Sequence, residues 1–297
     1  MSKKILIATP IHTDNLILQY VSSVFEIINN KNNDYEVNVF WRRGSLVNKA
    51  RNELIGYFLE SHYDYIFFVD SDIVDFTNQF FSIVEDYLKI EKKIPLLMLG
   101  AIYPIKYFNF DYIQTSKQLE YNNWQQGMLG YNVNIDNLGI NNQSVISEAD
   151  ENNGFVRASS IAGGFMMFSR YVVNKMIESY PDSAYRNFSN EKLVAKNNFN
   201  LFHSFVDPES KFYLSEDYGF CYNFNKIGGQ IYANIKLELS HYGEQTFKGS
   251  LYDTLNIQCS ENIDNLSQNK SFENKSFENK KNLILSSPRS GNHIIRT

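Results

Sequence analysis

The chain contains two cysteines, Cys221 and Cys259, and their spacing matches no metal-binding pattern. So few cysteines fit either a reduced compartment or indifference to redox. No uninterrupted apolar run reaches the roughly 18–20 residues that a membrane-spanning helix needs. The apolar part of the opening sequence, Ile5–Ala8, is too short for a signal peptide. These absences predict a cytoplasmic protein without a membrane span.

An excess of positive charge is also missing. The sequence has 28 Lys and Arg against 33 Asp and Glu, a formal net charge of -5. This balance argues against a general nucleic-acid or anionic-membrane surface, so an anionic substrate would need a local group of cations. The hydrophobic fraction is 43% and the aromatic fraction 15%, which is enough for a sizeable core. The length fits one globular domain of roughly 250 residues with a tail.

Strand and helix patterns alternate along the first hundred residues. Such alternation predicts an α/β fold with a mostly parallel sheet and crossover helices. Residues 107–154 show little periodicity, so we expect loops there, with an acceptor-binding insert as one option. The predicted strands are Ile5–Thr9, ended by Pro10, then Tyr35–Trp41, Tyr65–Val69 and Pro95–Ala101, and the predicted helices between them are Leu16–Ile28, Val47–Leu59 and Gln79–Leu88.

The most informative segment is the apolar strand Tyr65–Val69, which ends in Asp70-Ser71-Asp72. In open α/β sheets, ligands bind outside the carboxyl ends of the strands. A turn after the strand would let both carboxylates approach one point, and Mg²⁺ or Mn²⁺ prefers such oxygen ligands, shared with substrate phosphates. The structural alternative is a polar turn, or a cap by Asp72 on the next helix.

Cations lie just upstream of this strand. Arg42 and Arg43 precede a predicted helix that carries Lys49 and Arg51 near its start. At the carboxyl rim of the sheet these side chains would meet the phosphates of a nucleotide. The alternative is a solvated helix face.

Three later segments add polar groups with open interpretations. The pair Gly163-Gly164 allows either close approach of the backbone to a ligand or only a tight turn. Glu216-Asp217 stands at a predicted helix start, where one acid would be a general base or both would complement the helix dipole. His241 ends a strand and is either a ligand or a structural residue.

Together these residues resemble a GT-A fold glycosyltransferase, and the resemblance runs from Ile5 to about Gly249. It implies a Rossmann-like, mostly parallel twisted sheet flanked by helices. It also implies transfer of a sugar from a nucleotide-sugar, expected to be a UDP-sugar, to a glycan, protein or small-molecule acceptor. Asp70 and Asp72 match the D-x-D motif of the family, and with His241 they would hold Mn²⁺ or Mg²⁺.

The resemblance also implies roles for the other residues. Glu216 and Asp217 resemble the acid pair on the acceptor side, where one of them is the base if the reaction inverts the anomeric centre. Retention would require a different account. The segment Gly100–Lys106 resembles one that follows the motif in related transferases. The residues expected to bind the nucleotide-sugar are Thr9, Pro10, Arg51, Asp70, Ser71, Gly163, Gly164 and Lys248.

Two other classes remain open. A nucleotidyltransferase also uses metal and carboxylates on an α/β sheet, but it usually carries a Gly-rich loop with Lys or Arg after the first strand. The segment Thr9–His12 has no such loop. A non-catalytic sugar-binding domain would keep the fold without needing His241 together with the acid pair.

The C-terminal part has a different composition. Residues 270–281 contain Ser-Phe-Glu-Asn-Lys twice in succession, which is typical of a linker. The following apolar residues lead into Pro288-Arg-Ser-Gly-Asn292, which resembles the 5′-phosphosulfate loop of sulfotransferases. We therefore divide the chain into a GT-A domain (1–260), a linker (261–281) and the truncated start of a sulfotransferase-like domain (282–297), part of a bifunctional polypeptide.

This division predicts that residues from about Asn262 onward are dispensable for sugar transfer. The segment after the linker has only about fifteen residues, which is too few to bury a hydrophobic core. A chain that ends at Glu261 should keep its turnover of nucleotide-sugar and its melting temperature. Protease should cut first within 268–281. Unfolding of the shortened chain would contradict the division.

Overall fold

The computed structural model describes residues 2–13, 15–30, 35–110, 124–186 and 198–268. Its main sheet has eight strands in the order β2-β1-β3-β10-β5-β13-β9-β8. Strands β10 and β9 run opposite to the other six. The strands are β1 (Lys3–Ile11), β2 (Tyr35–Arg43), β3 (Tyr65–Val69), β5 (Leu97–Ala101), β8 (Val133–Ile135), β9 (Phe155–Ile161), β10 (Phe165–Ser169) and β13 (Gln230–Asn234).

Helices cover both faces of this sheet. One face carries α1 (Leu18–Asn29) and α3 (Thr77–Ile90). The opposite face carries α2 (Val47–Glu60), α5 (Asn142–Glu151), α6 (Arg170–Ser179), α7 (Glu216–Lys226) and α8 (Leu251–Gln268). A short α4 (Trp124–Gly127) is hydrogen-bonded to α8, and a 3₁₀ turn (Pro181–Ser183) follows α6. The predicted class, an α/β sheet of mostly parallel strands flanked by helices, is confirmed.

The continuous apolar run of β3 follows from this double cover. Successive side chains of a strand point to opposite faces, so Phe67 packs with the α1 and α3 layer while Phe68 packs with the α2 layer. All five side chains of β3 are buried. A strand covered on both sides has no polar face, which is why the run is unbroken until Asp70.

Smaller sheets lie at the carboxyl end of the main one. β4 (Ile73–Val74) pairs with β14 (Leu239–Tyr242), which pairs with β15 (Thr246–Gly249). β6 (Pro104–Phe108) pairs with β7 (Leu129–Tyr131), and β11 (Phe205–Val206) pairs with β12 (Tyr213–Leu214). The β4–β14 pairing joins the residues after the carboxylate motif to a strand more than 160 positions later.

Two predictions about secondary structure are wrong. Pro10 does not end β1, which continues to Ile11 beside β2. The pairing of β1 with β3 stops at Ala8, so proline removes no ladder hydrogen bond on that side. Among residues 107–154, the described part contains short strands and the helix α5 instead of loops alone. Three-residue strands are too short to show a period.

The helix α8 continues to Gln268, so residues 261–268 of the predicted linker are helical. The repeat and the sulfotransferase-like segment fall in 269–297, outside the described residues, and the division of the chain stays a prediction. Within the described ranges, no helix combines the length and apolar character needed to cross a membrane.

The packing of the core predicts which side chains cannot be removed without a large loss of stability. Phe67 is fully buried, with its ring centroid 4.8 Å from that of Phe80 and 4.8 Å from that of Phe165. Phe67→Ala should lower the free energy of unfolding by about 3–5 kcal/mol, because it leaves a cavity among rings that cannot collapse. Phe25→Ala on α1, where the ring is 68% exposed, is the matched control and should change it by less than about 0.5 kcal/mol. Denaturant unfolding measures both, and equal effects would place Phe67 outside the core.

Candidate functional site

Arg51 lies at the centre of the polar cluster, on the buried side of α2 and only 2% exposed. Its Nη2 donates to both carboxylate oxygens of Asp70, at 2.8 and 3.0 Å, and its Nη1 donates to the Gly163 carbonyl at 2.8 Å. Its Nε lies 3.5 Å from Oε1 of Glu216. A buried guanidinium requires such partners. The structure therefore places Arg51 beneath the carboxylates as a positioning residue, not at an open phosphate surface.

The charges of this cluster shift one another's pKa. Burial lowers the pKa of Arg51, but the carboxylates of Asp70, Glu216 and Asp217 outweigh it and the net shift is upward. The pKa of Asp70 is raised, because burial and the neighbouring charge of Asp72 outweigh the attraction of Arg51. The arrangement is a crowded set of acids around one cation.

Asp72 has a different environment from Asp70. Its Oδ2 accepts a hydrogen bond from Lys106 Nζ at 2.6 Å and lies 3.3 Å from His241 Nε2. Burial raises the pKa of Asp72, but His241 and Lys106 outweigh that effect and hold the pKa well below its usual range. Asp72 is therefore ionised throughout the physiological pH range.

His241 reaches this position through backbone pairing. In β14 it stands opposite Ile73 of β4, and the Tyr242 amide donates to the Asp72 carbonyl at 2.8 Å. Its Nδ1 donates to the Pro104 carbonyl at 2.8 Å, since a carbonyl only accepts. The Nε2 atom is thereby directed at Asp72. The hydrogen bond to Pro104 and the pairing of β14 with β4 therefore fix the orientation of the imidazole ring.

The glycine pair closes the cluster from the β9–β10 turn. The Gly163 amide donates to Asp217 Oδ2 at 3.1 Å, and the Gly164 amide donates to the Tyr103 hydroxyl at 3.1 Å. A Cβ at Gly164 would lie 2.8 Å from Asp70 Oδ2, and a Cβ at Gly163 would lie 3.0 Å from Arg51 Cζ. Glycine is required here for close packing against side chains of this chain.

The two acids of α7 are held differently. Asp217 accepts from the Ser215 hydroxyl, from the Tyr218 amide at 2.8 Å and from Gly163, so both of its oxygens are engaged. The Glu216 carboxylate lies beside the Arg51 guanidinium and is also hydrogen-bonded to its own backbone amide. Burial, and then the charge of Asp217, raise the pKa of Glu216. Of the pair, Glu216 has the oxygens less occupied and the affinity for a proton that a base requires.

Other predicted site residues lie at the edge of this cluster or outside it. Thr9 and Pro10 are buried, and Thr9 Oγ1 is hydrogen-bonded to the Tyr20 hydroxyl at 2.6 Å. Ser71 lies half-buried in the turn between the two aspartates. Lys248 stands opposite Ser240 in β15, and its Nζ contacts Glu238 Oε1 at 2.9 Å.

Lys248 thus does not join Asp72 and His241. It lines a separate cleft of about 520 Å³, together with Phe108, Asp253 and Ile257, and none of the clustered carboxylates lines that cleft. The cation that approaches Asp72 is Lys106 instead.

Sequence reasoning gave no separate role to Lys106 or Tyr103. Both residues follow the carboxyl end of the buried strand β5. Ligands of open α/β sheets bind outside such strand ends, and this position could have indicated both residues as it indicated Asp70 and Asp72. The pKa of Tyr103 is raised well above its usual value by burial and by Asp70 and Asp217, which keeps its hydroxyl protonated. Its ring meets that of His241 edge-on, with centroids 5.2 Å apart.

The donor atoms fit a divalent cation only in part. Asp72 Oδ2 and His241 Nε2 converge, and Mg²⁺ or Mn²⁺ commonly takes one or two protein ligands and completes its shell with phosphate oxygens and water. Among the described residues, no three His, Cys, Asp or Glu side chains are arranged to hold a metal ion. The residues therefore fit a cation shared with a phosphorylated ligand, and not one held by protein alone.

Comparison with known proteins yields distant likenesses in structure. No protein-family model matches the sequence, and no curated protein matches it. The fold is similar to the crystal structure of A197 from STIV, with a TM-score of 0.42 and 16% sequence identity, covering 82% of this chain and 86% of that chain. At this level the likeness concerns the course of the backbone and gives this chain neither a family nor a reaction.

The raised pKa of Glu216 predicts a pH-dependent gain of stability in Glu216→Gln. A raised carboxyl pKa means that the folded state binds the proton more tightly, so ionisation of Glu216 opposes folding as pH rises. At pH 7.5 the variant should melt about 2–4 °C higher than the wild type, as expected for roughly 1 kcal/mol. The difference should vanish near pH 4, where the unfolded carboxyl is also protonated.

Calorimetry across this pH range measures the effect. Glu178→Gln, at an exposed side chain paired with Lys175, serves as the control and should show no such trend. A destabilised Glu216→Gln at pH 7.5 would mean that the contact with Arg51 outweighs the burial of the charge.

Proposed function

We propose that this chain is a metal-dependent glycosyltransferase that moves a sugar from a nucleotide-sugar, expected to be a UDP-sugar, to an acceptor hydroxyl. The observation that carries the proposal is the convergence of the groups this reaction needs. A pair of helix-terminal acids and Asp70 lie around Arg51, and a histidine and a lysine lie around Asp72, at the carboxyl end of a mostly parallel sheet.

The leaving group of the reaction is a nucleoside diphosphate, on which negative charge develops as the sugar–phosphate bond breaks. Positive charge placed beside it stabilises the transition state more than the ground state. Lys106 is the partly exposed cation next to Asp72 and can supply such charge. A divalent cation held by Asp72 and His241 would add a Lewis acid at the same point.

The acceptor hydroxyl must lose its proton as it attacks. A positioned carboxylate that accepts this proton contributes typically about 10²–10⁴-fold. Glu216 is the better candidate, since Asp217 is committed to Ser215, Tyr218 and Gly163. Asp217 then acts as a positioning residue that ties α7 to the glycine turn. The role of Glu216 as the base applies if the reaction inverts the configuration at the anomeric carbon.

Asp70 is expected to act indirectly. Its two oxygens are bound by Arg51, and its amide donates to the Gly164 carbonyl at 3.0 Å. It therefore fixes the turn that presents Asp72. The donor would lie over this turn, between Asp72 and the glycine pair, with the acceptor on the side of α7.

The proposal predicts that Asp72→Ala loses at least about 100-fold in turnover of the nucleotide-sugar, the scale seen when one group that stabilises the leaving charge is removed. Released nucleotide, measured over a panel of nucleotide-sugars with Mn²⁺ or with EDTA, gives the rate. The variant should stay folded because the Asp72 side chain is partly exposed, but it should melt at a somewhat lower temperature than the wild type, since Lys106 and His241 lose their partner. Turnover near the wild-type rate would remove Asp72 from the site.

Asp150→Ala is the matched control, since Asp150 is also paired with a lysine, Lys236, at 2.7 Å, and lies outside the cluster. The same assay separates the alternatives. Pyrophosphate formed from a nucleoside triphosphate and a sugar phosphate would indicate a nucleotidyltransferase. Binding of nucleotide-sugar without turnover under any condition would indicate a sugar-binding domain.

A further inference from the structure

Lys106 lies beside Asp72 at the place where a cation shared by Asp72 and His241 would also lie. Its Nζ lies 2.6 Å from Asp72 Oδ2, and this is the same oxygen that lies 3.3 Å from His241 Nε2. A divalent ion bound to both of these atoms would stand within a few ångströms of the ammonium. Two like charges on one oxygen repel strongly at such a distance.

The path of the Lys106 side chain is determined by its surroundings. Its backbone lies in β6, which pairs with β7, and its aliphatic stem passes over Gly243 in the turn between β14 and β15. A Cβ at position 243 would lie 3.0 Å from Lys106 Cδ. The absence of a side chain there leaves room for the lysine to reach Asp72.

We propose that Lys106 and a divalent cation compete for Asp72, and that the diphosphate of the donor relieves this competition by giving the ammonium a second anion. The part of this proposal that concerns the donor diphosphate rests on the proposed function. The competition between Lys106 and the cation rests only on the contacts that Asp72 makes. Lys106 thus sets the affinity of the site for metal. The nucleotide-free protein binds the cation weakly, and nucleotide and cation each raise the affinity for the other.

This reciprocity is a thermodynamic requirement. If the nucleotide strengthens cation binding by a given factor, the cation strengthens nucleotide binding by the same factor. When Lys106 is replaced by a neutral side chain, the competition disappears and part of the coupling disappears with it. The variant should bind metal more tightly without nucleotide and gain less when nucleotide is added.

Titration of the full chain with Mn²⁺ tests this, with free Mn²⁺ followed by its electron paramagnetic resonance signal. Without nucleotide, Lys106→Met should bind Mn²⁺ at least about fivefold more tightly than the wild type, which corresponds to about 1 kcal/mol, as for one partly exposed ion pair. Addition of UDP should tighten Mn²⁺ binding more in the wild type than in the variant. Lys106→Arg keeps the charge and should stay within about twofold of the wild type.

Lys236→Met is the matched control. The Lys236 side chain is 36% exposed and pairs with Asp150 at 2.7 Å, whereas the Lys106 side chain is 37% exposed and pairs with Asp72 at 2.6 Å. The control should leave Mn²⁺ affinity unchanged. Lys106→Gln replaces Lys106→Met if the latter melts below the temperature of the titration.

Equal or weaker Mn²⁺ binding by the folded, neutral Lys106 variant overturns the proposal, as does a lack of Mn²⁺ binding in both proteins. Turnover that persists in EDTA and depends on Lys106 also overturns the proposal, because the lysine then takes the place of the metal. In that case sugar transfer would still be supported as the function. Tighter Mn²⁺ binding by the variant without turnover of any nucleotide-sugar supports the competition and removes the proposed function.

Discussion

The buried guanidinium of Arg51 is the interaction on which the polar cluster depends. It joins α2 to the turn after β3, to the β9–β10 turn and to the start of α7. Three elements that are distant in sequence are thereby held around one charge, while the rings of Phe68 and Phe202 lie against its faces. Loss of the cation from such a buried cluster typically costs about 3–5 kcal/mol, because the carboxylates then remain buried and unpaired.

Three carboxylates, those of Asp70, Glu216 and Asp217, surround the single positive charge of Arg51, and this excess of negative charge lowers the stability of the fold. Asp70 and Glu216 have raised pKa values, so their ionised forms oppose folding. A protein under selection for stability alone would replace such groups with neutral ones. Their presence together at the carboxyl rim of the sheet supports the proposed function, because perturbed pKa values cluster at functional sites.

Two kinds of contact divide the cluster into a rigid part and an adjustable part. Asp70, Asp217 and the glycine pair are bound by backbone groups and by Arg51, and they leave little freedom. Among the described residues, the Asp72 carboxylate is held by the side chains of Lys106 and His241, of which the lysine is long and partly exposed. A ligand can move the lysine at small cost, so exchange of cations is expected at Asp72 and not at Asp70.

The sequence by itself determined the α/β class, since the periods of strands and helices alternate before any tertiary contact is considered. It also identified Asp70 and Asp72 as candidate site residues, because a buried strand that ends in two carboxylates places them where ligands bind in open α/β sheets. The roles of Arg51, Lys106 and Lys248 were decided by tertiary structure. A lysine in a sequence carries no sign of which acid it will meet. Only the pairing of β14 with β4, and the position of β6, bring His241 and Lys106 to one oxygen of Asp72 and direct Lys248 to Glu238 instead.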